Sequence, residues 1–194
     1  MSNYIEDQLK QSHAVITALL QDAGLQESLS KAIDDCIGSL KSGGKILLAG
    51  NGGSAADAQH IAGELVSRFA FDRPGLAAVA LTTDTSILTA VGNDYGYELL
   101  FARQIQALGR KGDVFIAYST SGKSPNILKA LQAAKVLGLV SIGLTGNRNG
   151  PMNALCDHVL AMPSSDTPKI QEGHLIMGHI LCGAIEQELF GKPA

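Results

Sequence analysis

Short apolar runs alternate with helical periodicity along most of this chain of 194 residues. Between these runs, apolar residues recur at the spacing of amphipathic helices. Strands that alternate with helices predict parallel βαβ units. The expected fold class is therefore α/β, a doubly wound, mostly parallel five-stranded sheet flanked by helices. The predicted strands lie at 45–49, 77–81, 114–118, 140–144 and 158–162, and the predicted helices between them begin at Ser54 or cover 84–107, 124–137 and 151–156.

Further helical patterns stand at both ends of the chain. Two of them, at 4–22 and 26–41, precede the first strand, and the second ends at a pair of glycines. We therefore expect a single domain over 1–194, of which about 1–42 is an N-terminal helical extension. The stretch 167–190 predicts one long helix, with Thr167 as N-cap, Pro168 at its first position and Gly191 at its end.

The composition adds a prediction about surfaces. Hydrophobic residues make up 45% of the chain and charged residues 17%, and the mean hydropathy is +0.14. A soluble protein this apolar is expected to cover part of its surface with partner subunits. The formal net charge of −3 comes without a basic stripe, which argues against a nucleic-acid partner.

The cysteines and the apolar runs bear on the compartment. Cys36, Cys156 and Cys182 are odd in number and far apart, so they match neither a disulfide framework nor a paired zinc motif. Free thiols in a reducing compartment are expected. The first residues lack the regions of a signal peptide, and no apolar run approaches the roughly 18 residues of a membrane span. The sequence predicts a cytoplasmic protein with no membrane partner.

Two predicted strands end in loops of glycine or hydroxyl residues, and each loop leads into a helix. Ligands of open α/β sheets bind at the carboxyl ends of strands, where N–H groups and the helix dipole favour an anion. Neither loop has the spacing of a Walker or dinucleotide motif. Together they favour a small phosphate monoester, with a simple capping turn as the alternative for each. The loops are Gly50-Asn51-Gly52-Gly53-Ser54 and Ser119-Thr120-Ser121-Gly122-Lys123-Ser124.

Groups that could carry out a reaction lie on two predicted helices. His60 and Glu64 are four residues apart and share a helical face, so they could be acid, base or metal ligands, or form a surface contact. His179 lies in an apolar stretch of the last helix and needs a polar partner there. It is either a functional group or a core histidine bonded to a backbone carbonyl. Asn93 and Asp94 form another polar cluster, or a turn.

Together these residues resemble the sugar isomerase (SIS) domain family, over nearly the whole chain. The serine–threonine loop alone is typical of any SIS domain. Its combination with His60, Glu64, Gln171 and His179 is similar to the isomerases of heptose phosphates within that family. The matching segments are 50–54, 57–60 with Glu64, 73–75, 91–94, 119–124, 144–146, and 167–174 with His179.

The resemblance implies an aldose–ketose isomerase that converts sedoheptulose 7-phosphate into D-glycero-D-manno-heptose 7-phosphate for bacterial surface heptose. It also implies one zinc ion per subunit and a homotetramer with sites at subunit boundaries. Glu64 would be the base and His179 the acid of an enediol mechanism. The implied zinc ligands are His60, Glu64, Gln171 and His179. The implied substrate-binding residues are Asn51, Gly52, Gly53, Ser54, Glu64, Asn93, Asp94, Ser119, Thr120, Ser121, Ser124 and Gln171.

Two of the implied zinc ligands are widely spaced along one helix. Gln171 and His179 are eight residues apart, about 12 Å along an ideal helix. Zinc holds its donor atoms within about 2.3 Å. Gln171 and His179 could still bind one zinc ion if their side chains leaned toward each other or if the helix were irregular. They could also do so if the two ligands came from different chains.

Two other functions are compatible with a chain of this kind. A non-enzymatic, tetrameric SIS protein that binds the bacterial replication initiator would share the fold, but such relatives lack residues matching Glu64 and His179. An isomerase or sensor for an arabinose or hexosamine phosphate would be expected to carry extra domains. The presence of Glu64 and His179 favours the heptose-phosphate isomerase.

Overall fold

The five predicted strands form one sheet in the computed structural model, which describes residues 2–147 and 150–191. The strands are β1 (Ile46–Ala49), β2 (Ala78–Ala80), β3 (Val114–Tyr118), β4 (Val140–Thr145) and β5 (His158–Ala161). Their order is β2-β1-β3-β4-β5, and every neighbouring pair is parallel. The chain therefore winds from β1 to one edge and from β3 to the other, which confirms the predicted doubly wound fold.

Helices precede the sheet, connect its first four strands along the chain and end the described chain. Two lie before β1, and the last follows β5 directly. A 3-10 turn, Tyr97–Leu99, lies between the fourth and fifth helices. The α-helices are α1 (Ser2–Gln21), α2 (Ala23–Lys41), α3 (Gly53–Val66), α4 (Thr85–Tyr95), α5 (Leu100–Leu108), α6 (Pro125–Leu137) and α7 (Thr167–Phe190).

Three local predictions were wrong. The pattern at 84–107 is two helices, because Gly96 adopts a φ of +87° that favours glycine and ends α4. Residues 151–156 form turns instead of a helix, since so short a segment has too few backbone hydrogen bonds to offset helix nucleation. The N-cap of α7 is Asp166 rather than Thr167, which makes Pro168 the second helical residue.

Both faces of the central strands β1 and β3 are buried. Alternate residues of β1 point to opposite sides, as strand geometry requires. Ile46 and Leu48 pack with α1, α2, α3 and α7. Leu47 and Ala49 pack with α5 and α6 on the other side. Because neither face of β1 or β3 meets water, these strands have the continuous apolar sequences typical of a covered parallel sheet.

Helices α3 and α7 pack closely and run in the same direction. Near their beginnings, a β-carbon added to Gly53 would lie 2.5 Å from Nε2 of Gln171. About two turns further on, a β-carbon on Gly178 would lie 2.5 Å from Cδ1 of Ile61. These two contacts fix the register of the helices, and they place His179 at the level of His60.

The cysteines are free thiols, as predicted. Cys36 and Cys182 are buried and Cys156 is half-buried. Burial raises the pKa of Cys156 and of Cys182 to about 12. Little reactive thiolate therefore forms on either residue at neutral pH. Among the helices of the described ranges, none combines the length and the apolar character needed to cross a membrane.

Candidate active site

His60, Glu64 and His179 meet on the α3–α7 helix pair. Nε2 of His60 lies 3.0 Å from Oε1 of Glu64 and 3.4 Å from Nε2 of His179. One donor atom from each residue lies within 4.8 Å of the other two. His60 and Glu64 share a face because they are one turn apart on α3. The parallel packing of α7 adds His179, and we call these three residues the His–Glu–His cluster.

The His–Glu–His cluster is partly open to its surroundings. The His60 side chain is 44% exposed and the Glu64 side chain 25%. On one side, the ring of Phe69 lies 5.7 Å from the imidazole of His179, measured between centroids. The cluster therefore has an apolar wall and an accessible side from which a ligand can approach.

A different histidine of α7, His174, is enclosed in the core. It is fully buried, its Nε2 lies 3.2 Å from the carbonyl oxygen of Thr145, and its ring packs edge-on against Tyr118. Burial lowers the pKa of His174 to about 4, although the bond to Thr145 acts in the opposite direction. The description of a core histidine bonded to a carbonyl therefore holds for His174 and not for His179, which faces His60.

The donor atoms of the His–Glu–His cluster suit zinc. Imidazole nitrogen and carboxylate oxygen are its common nitrogen and oxygen ligands. Ligands about 2.0–2.1 Å from a tetrahedral zinc lie about 3.3–3.4 Å from one another. The distances of 3.4 Å from His60 to His179 and 3.0 Å from His60 to Glu64 are close to this separation. The cluster therefore fits three of the four ligands of such a site.

Gln171, the fourth implied ligand, lies elsewhere on α7. Its amide contacts Gly53 at the beginning of α3. Helix α7 is continuous from Thr167 to Phe190, so about 12 Å of helix separates Gln171 from His179. Neither an irregular helix nor a leaning side chain brings the two together within one chain. The remaining explanation from the sequence is a ligand supplied by a second chain.

A small cavity lies beside the loop that follows β3. It has a volume of about 70 Å³. The cavity stands at the carboxyl edge of the sheet, where the sequence predicted a phosphate site, and next to the first turn of α7. We call it the hydroxyl cavity, because most of its lining residues carry hydroxyl groups: Thr120, Ser121, Gly146, Ser164, Ser165, Thr167 and Ile170.

The four predicted phosphate-binding hydroxyls divide into two pairs. Thr120 and Ser121 line the hydroxyl cavity. Ser119 is buried, and its Oγ lies 2.9 Å from Oγ of Ser124, the N-cap of α6. The hydrogen bond between Ser119 and Ser124 ties the loop to the beginning of α6. Phosphate binding by the four residues stays a prediction.

Two lining residues, Ser164 and Ser165, were missed by the sequence analysis. They follow β5 and precede α7, so they carry the same signal that identified the 119–124 loop, namely hydroxyls between a strand and a helix. The N–H of Gly146 donates to the carbonyl of Thr120 at 3.1 Å, and the N–H of Asn147 donates to Ser164 at 3.1 Å. These bonds join the three loops around the hydroxyl cavity.

Asn51 is held by two neighbours. Its side-chain amide exchanges two hydrogen bonds with the amide of Asn126, at 3.0 and 2.8 Å. The hydroxyl of Tyr97 donates to Oδ1 of Asn51 at 3.0 Å. Asn126 is itself buried in the first turn of α6. These bonds use Oδ1 and one N–H of the Asn51 side-chain amide. They fix the orientation of the amide, and therefore the direction of its second N–H.

The other implied sugar-binding residues border this network. Gly52 is the N-cap of α3, and Ser54 is buried in its first turn with its N–H bonded to the carbonyl of Asn51. Asn93 and Asp94 lie exposed near the end of α4, where the Asn93 amide donates to Asp94 at 2.8 Å. The bond from Tyr97 to Asn51 brings this end of α4 next to the first loop.

The comparison with known proteins settles the family. The SIS domain family matches residues 9–146. The chain belongs to the SIS domain family. The resemblance predicted from the motifs is therefore confirmed.

Several relatives that are 40% or more identical and match along almost the whole chain are phosphoheptose isomerases. One from Burkholderia pseudomallei (strain 1710b) is 66% identical over 189 residues, covering 97% of this chain and 96% of the relative. Phosphoheptose isomerase 2 of Campylobacter jejuni is 59% identical over 192 residues, covering 99% and 96%. A solved phosphoheptose isomerase of Neisseria gonorrhoeae has a TM-score of 0.90 and 40% identity, covering 96% of this chain and 98% of that one. The predicted relationship is confirmed.

Proposed function

We propose that the chain converts sedoheptulose 7-phosphate into D-glycero-D-manno-heptose 7-phosphate, an aldose–ketose isomerisation. The meeting of Glu64 and His179 in the His–Glu–His cluster carries this proposal. Isomerisation through an enediol needs a base for the carbon-bound proton and an acid for the oxygens. Relatives that are named phosphoheptose isomerase and match nearly all of the chain support a phosphorylated seven-carbon sugar as the substrate.

In the proposed mechanism, Glu64 transfers protons at the carbon atoms and His179 transfers protons at the oxygen atoms. Glu64 takes the proton from carbon 1 of the ketose and returns it to carbon 2. His179 gives a proton to the carbonyl oxygen on carbon 2 and accepts the one that leaves the hydroxyl on carbon 1. Hydroxyl and N–H groups of the hydroxyl cavity hold the phosphate, so that binding energy from the unreactive end positions the reactive end.

We propose zinc, one ion per subunit, as the metal of this site. His60, Glu64 and His179 would hold it from one chain, and Gln171 of a second chain would be the fourth ligand. A bound zinc ion would polarise the carbonyl and hydroxyl oxygens of the open-chain sugar. Support comes from the donor set of the His–Glu–His cluster and from its nitrogen and oxygen separations.

The length of the substrate supports sites at subunit boundaries. Thr167 lines the hydroxyl cavity, and His179 follows twelve residues later on α7, about 18 Å along the helix. An extended heptose phosphate spans only about 10 Å from carbon 1 to phosphorus, given bonds of about 1.5 Å. This difference favours a site in which the hydroxyl cavity of one chain faces the His–Glu–His cluster of another.

An apolar surface is available for the proposed homotetramer. Leu9, Ile16 and Leu20 of α1 are 66%, 50% and 77% exposed. A groove of about 470 Å³ lies between α1, α2 and α7, and Ile16, Leu20 and Ile180 are among its lining residues. Ile180 is the neighbour of His179, so a chain seated in this groove would approach the His–Glu–His cluster. This exposed apolar surface supports the proposal of partner subunits.

The alternative function, a non-enzymatic SIS protein that binds the replication initiator, is not favoured. A non-enzymatic protein would not need the proton-transfer groups of Glu64 and His179 to lie close together. The relatives named above, which match nearly the whole chain, are phosphoheptose isomerases. We further propose that the enzyme works in the cytoplasm, where its free thiols fit a reducing environment. Its product would serve surface heptose synthesis, for lipopolysaccharide core or capsule.

Metal analysis combined with turnover tests the proposal. We expect purified protein to contain one zinc per chain and to convert sedoheptulose 7-phosphate into the manno-configured aldose phosphate. Chelation should abolish turnover, and added zinc should restore it. Full activity after removal of the metal would refute the zinc proposal alone. No turnover by the zinc-loaded protein, together with capture of the replication initiator, would refute the isomerase and favour the alternative.

A further inference from the structure

Arg73 and Glu186 form a buried ion pair outside the His–Glu–His cluster. Nε of Arg73 donates to Oε2 of Glu186 at 2.9 Å, and the two side chains are only 2% and 1% exposed. Charged groups are rarely this deep in a protein unless their hydrogen-bonding capacity is fully used. The remaining partners of the pair therefore indicate what it holds in place.

Glu186 binds the loop that follows α3. Its carboxylate accepts the N–H groups of three successive residues, Phe69, Ala70 and Phe71, at 2.8, 2.6 and 3.2 Å. Burial alone would raise the pKa of Glu186, but these three bonds and Arg73 hold the pKa below its usual value. The carboxylate is thus ionised, and it fixes the path of the loop from its place on α7.

Arg73 binds the end of α3. Its Nη2 donates to the carbonyl oxygen of Glu64 at 2.9 Å, and its Nη1 donates to the carbonyl of Leu65 at 2.7 Å. Carbonyls in the last turn of a helix lack partners within the helix. The guanidinium supplies these partners, and one of them belongs to the main chain of the proposed base, Glu64.

Phe69 connects this pair to His179. Its ring packs on α7 at Gly183, where an added β-carbon would lie 3.1 Å from Cε1 of Phe69. The same ring stands 5.7 Å from the imidazole of His179. The loop held by Glu186 therefore sets the wall against which the His179 ring rests.

We propose that Arg73 and Glu186 are positioning residues, which fix the main chain of Glu64 and the ring of His179 relative to each other. The inference rests on the proposed function, because it assigns the pair a role in that reaction. Neither residue needs to touch the substrate. Their loss would misalign the proton-transfer groups, and a displacement of about 1 Å can cost roughly 100-fold in rate.

A second buried carboxylate offers a matched control. Asp113 is 3% exposed, pairs with Lys45, and accepts the N–H groups of Lys45 and Arg110. It precedes β3, at the amino edge of the sheet and therefore opposite the loops of the hydroxyl cavity. Asp113→Asn and Glu186→Gln each replace a buried carboxylate by a neutral amide within a set of N–H donors. They differ in what the carboxylate holds: Asp113 binds the N–H groups of Lys45 and Arg110, whereas Glu186 binds the loop whose Phe69 ring stands beside His179.

The experiment compares kcat, KM and melting temperature in both variants, below the temperature at which either begins to unfold. We expect both substitutions to lower the melting temperature. Glu186→Gln should lower kcat by about 10- to 100-fold and leave KM within about twofold. Asp113→Asn should leave kcat and KM unchanged. Equal, wild-type kcat in the two folded variants would overturn the proposal, because it would leave the pair a purely structural role.

Two further measurements keep the test decisive. Should Glu186→Gln fail to fold, Phe69→Leu removes only the ring beside His179, and a kcat equal to wild type would overturn the proposal. Cobalt(II), bound in place of zinc, reports the geometry of the His–Glu–His cluster by its visible spectrum without any substrate. The spectrum should change in Glu186→Gln and not in Asp113→Asn. If wild-type protein binds cobalt but does not isomerise the sugar, the proposed function fails, and the spectra still decide the positioning role.

Discussion

Nε2 of His60 and Nε2 of His179 face each other at 3.4 Å. At this distance one nitrogen donates a hydrogen bond to the other, or both face a common cation. Two N–H groups that pointed at each other would repel each other. At least one ring therefore directs a lone pair into the space between them, next to the carboxylate of Glu64. Such a group of donors can bind a metal ion and exchange protons with a substrate.

Removal of His60 should weaken metal binding. His60→Ala deletes the residue that contacts both other members of the His–Glu–His cluster. We expect its zinc affinity to fall by more than the roughly 10- to 100-fold that loss of an outer-shell partner costs. Competition with a chromogenic chelator measures this. His13→Ala, which removes an exposed histidine of α1, is the control and should bind zinc like the wild type. An unchanged affinity in His60→Ala would contradict the ligand assignment.

Substitutions around Asn51 should affect substrate binding more than the chemical step. Tyr97→Phe removes one hydrogen bond to Asn51, and because Tyr97 is 64% exposed, stability should not change. We expect KM to rise by about 2- to 10-fold, corresponding to about 0.5–1.5 kcal/mol. Asn126→Ala should have a larger effect on KM. Steady-state kinetics would refute the role of Asn51 if both variants kept the wild-type KM.

His174 should make the protein sensitive to mild acid. Its folded-state pKa of about 4 lies below the ordinary value of 6.5. The unfolded chain therefore binds this proton more readily. The stabilising contribution is complete above pH 6.5 and is lost as the pH falls toward 4, at up to about 1.4 kcal/mol per pH unit.

The pH dependence of the unfolding free energy tests this prediction. Between pH 6.5 and 4 the unfolding free energy of the wild type should change more steeply with pH than that of His174→Gln. The difference should be up to about 1.4 kcal/mol per pH unit, which corresponds to one proton. The background from carboxylates is common to both proteins and cancels in the difference. Identical slopes would show that His174 does not control acid stability.

A charge on α1 should dissociate the proposed tetramer and reduce activity. Leu20→Glu places a carboxylate in the apolar groove, whereas Val136→Glu changes a residue of α6 that is 86% exposed and lies outside that groove. Light scattering should show smaller particles for Leu20→Glu only. Because the site is proposed to be shared, turnover should fall with the particle size. A fully active monomer would contradict a site at the subunit boundary.

The sheet was predictable because both faces of its central strands are covered. Each strand is a short apolar run, and β3 agrees with its predicted bounds at both ends. The break at Gly96 was not predictable from periodicity, because the apolar spacing continues from Val91 to Leu99 across it. A positive φ at one glycine leaves no trace in the pattern.

The sequence predicted the individual residues of the site but not all of their contacts. The spacing of four residues places His60 beside Glu64 on any helix. Their meeting with His179 depends on the register between α3 and α7, which the contacts of Gly53 and Gly178 fix in three dimensions. From the residues alone, no local pattern distinguished His179 from the buried His174. The resemblance to a family made that choice.

Turnover by Glu64→Gln, followed by NMR in deuterated water, tests whether Glu64 is the base of the isomerisation. Wild-type protein should convert sedoheptulose 7-phosphate and incorporate solvent deuterium at carbon 2 of the aldose. Glu64→Gln should bind the substrate with similar affinity, while kcat falls by about 100- to 10,000-fold. Glu188→Gln, a change at an exposed surface pair, should behave like the wild type. Near wild-type turnover by Glu64→Gln would contradict the account, because the carbon-bound proton would then leave without this base.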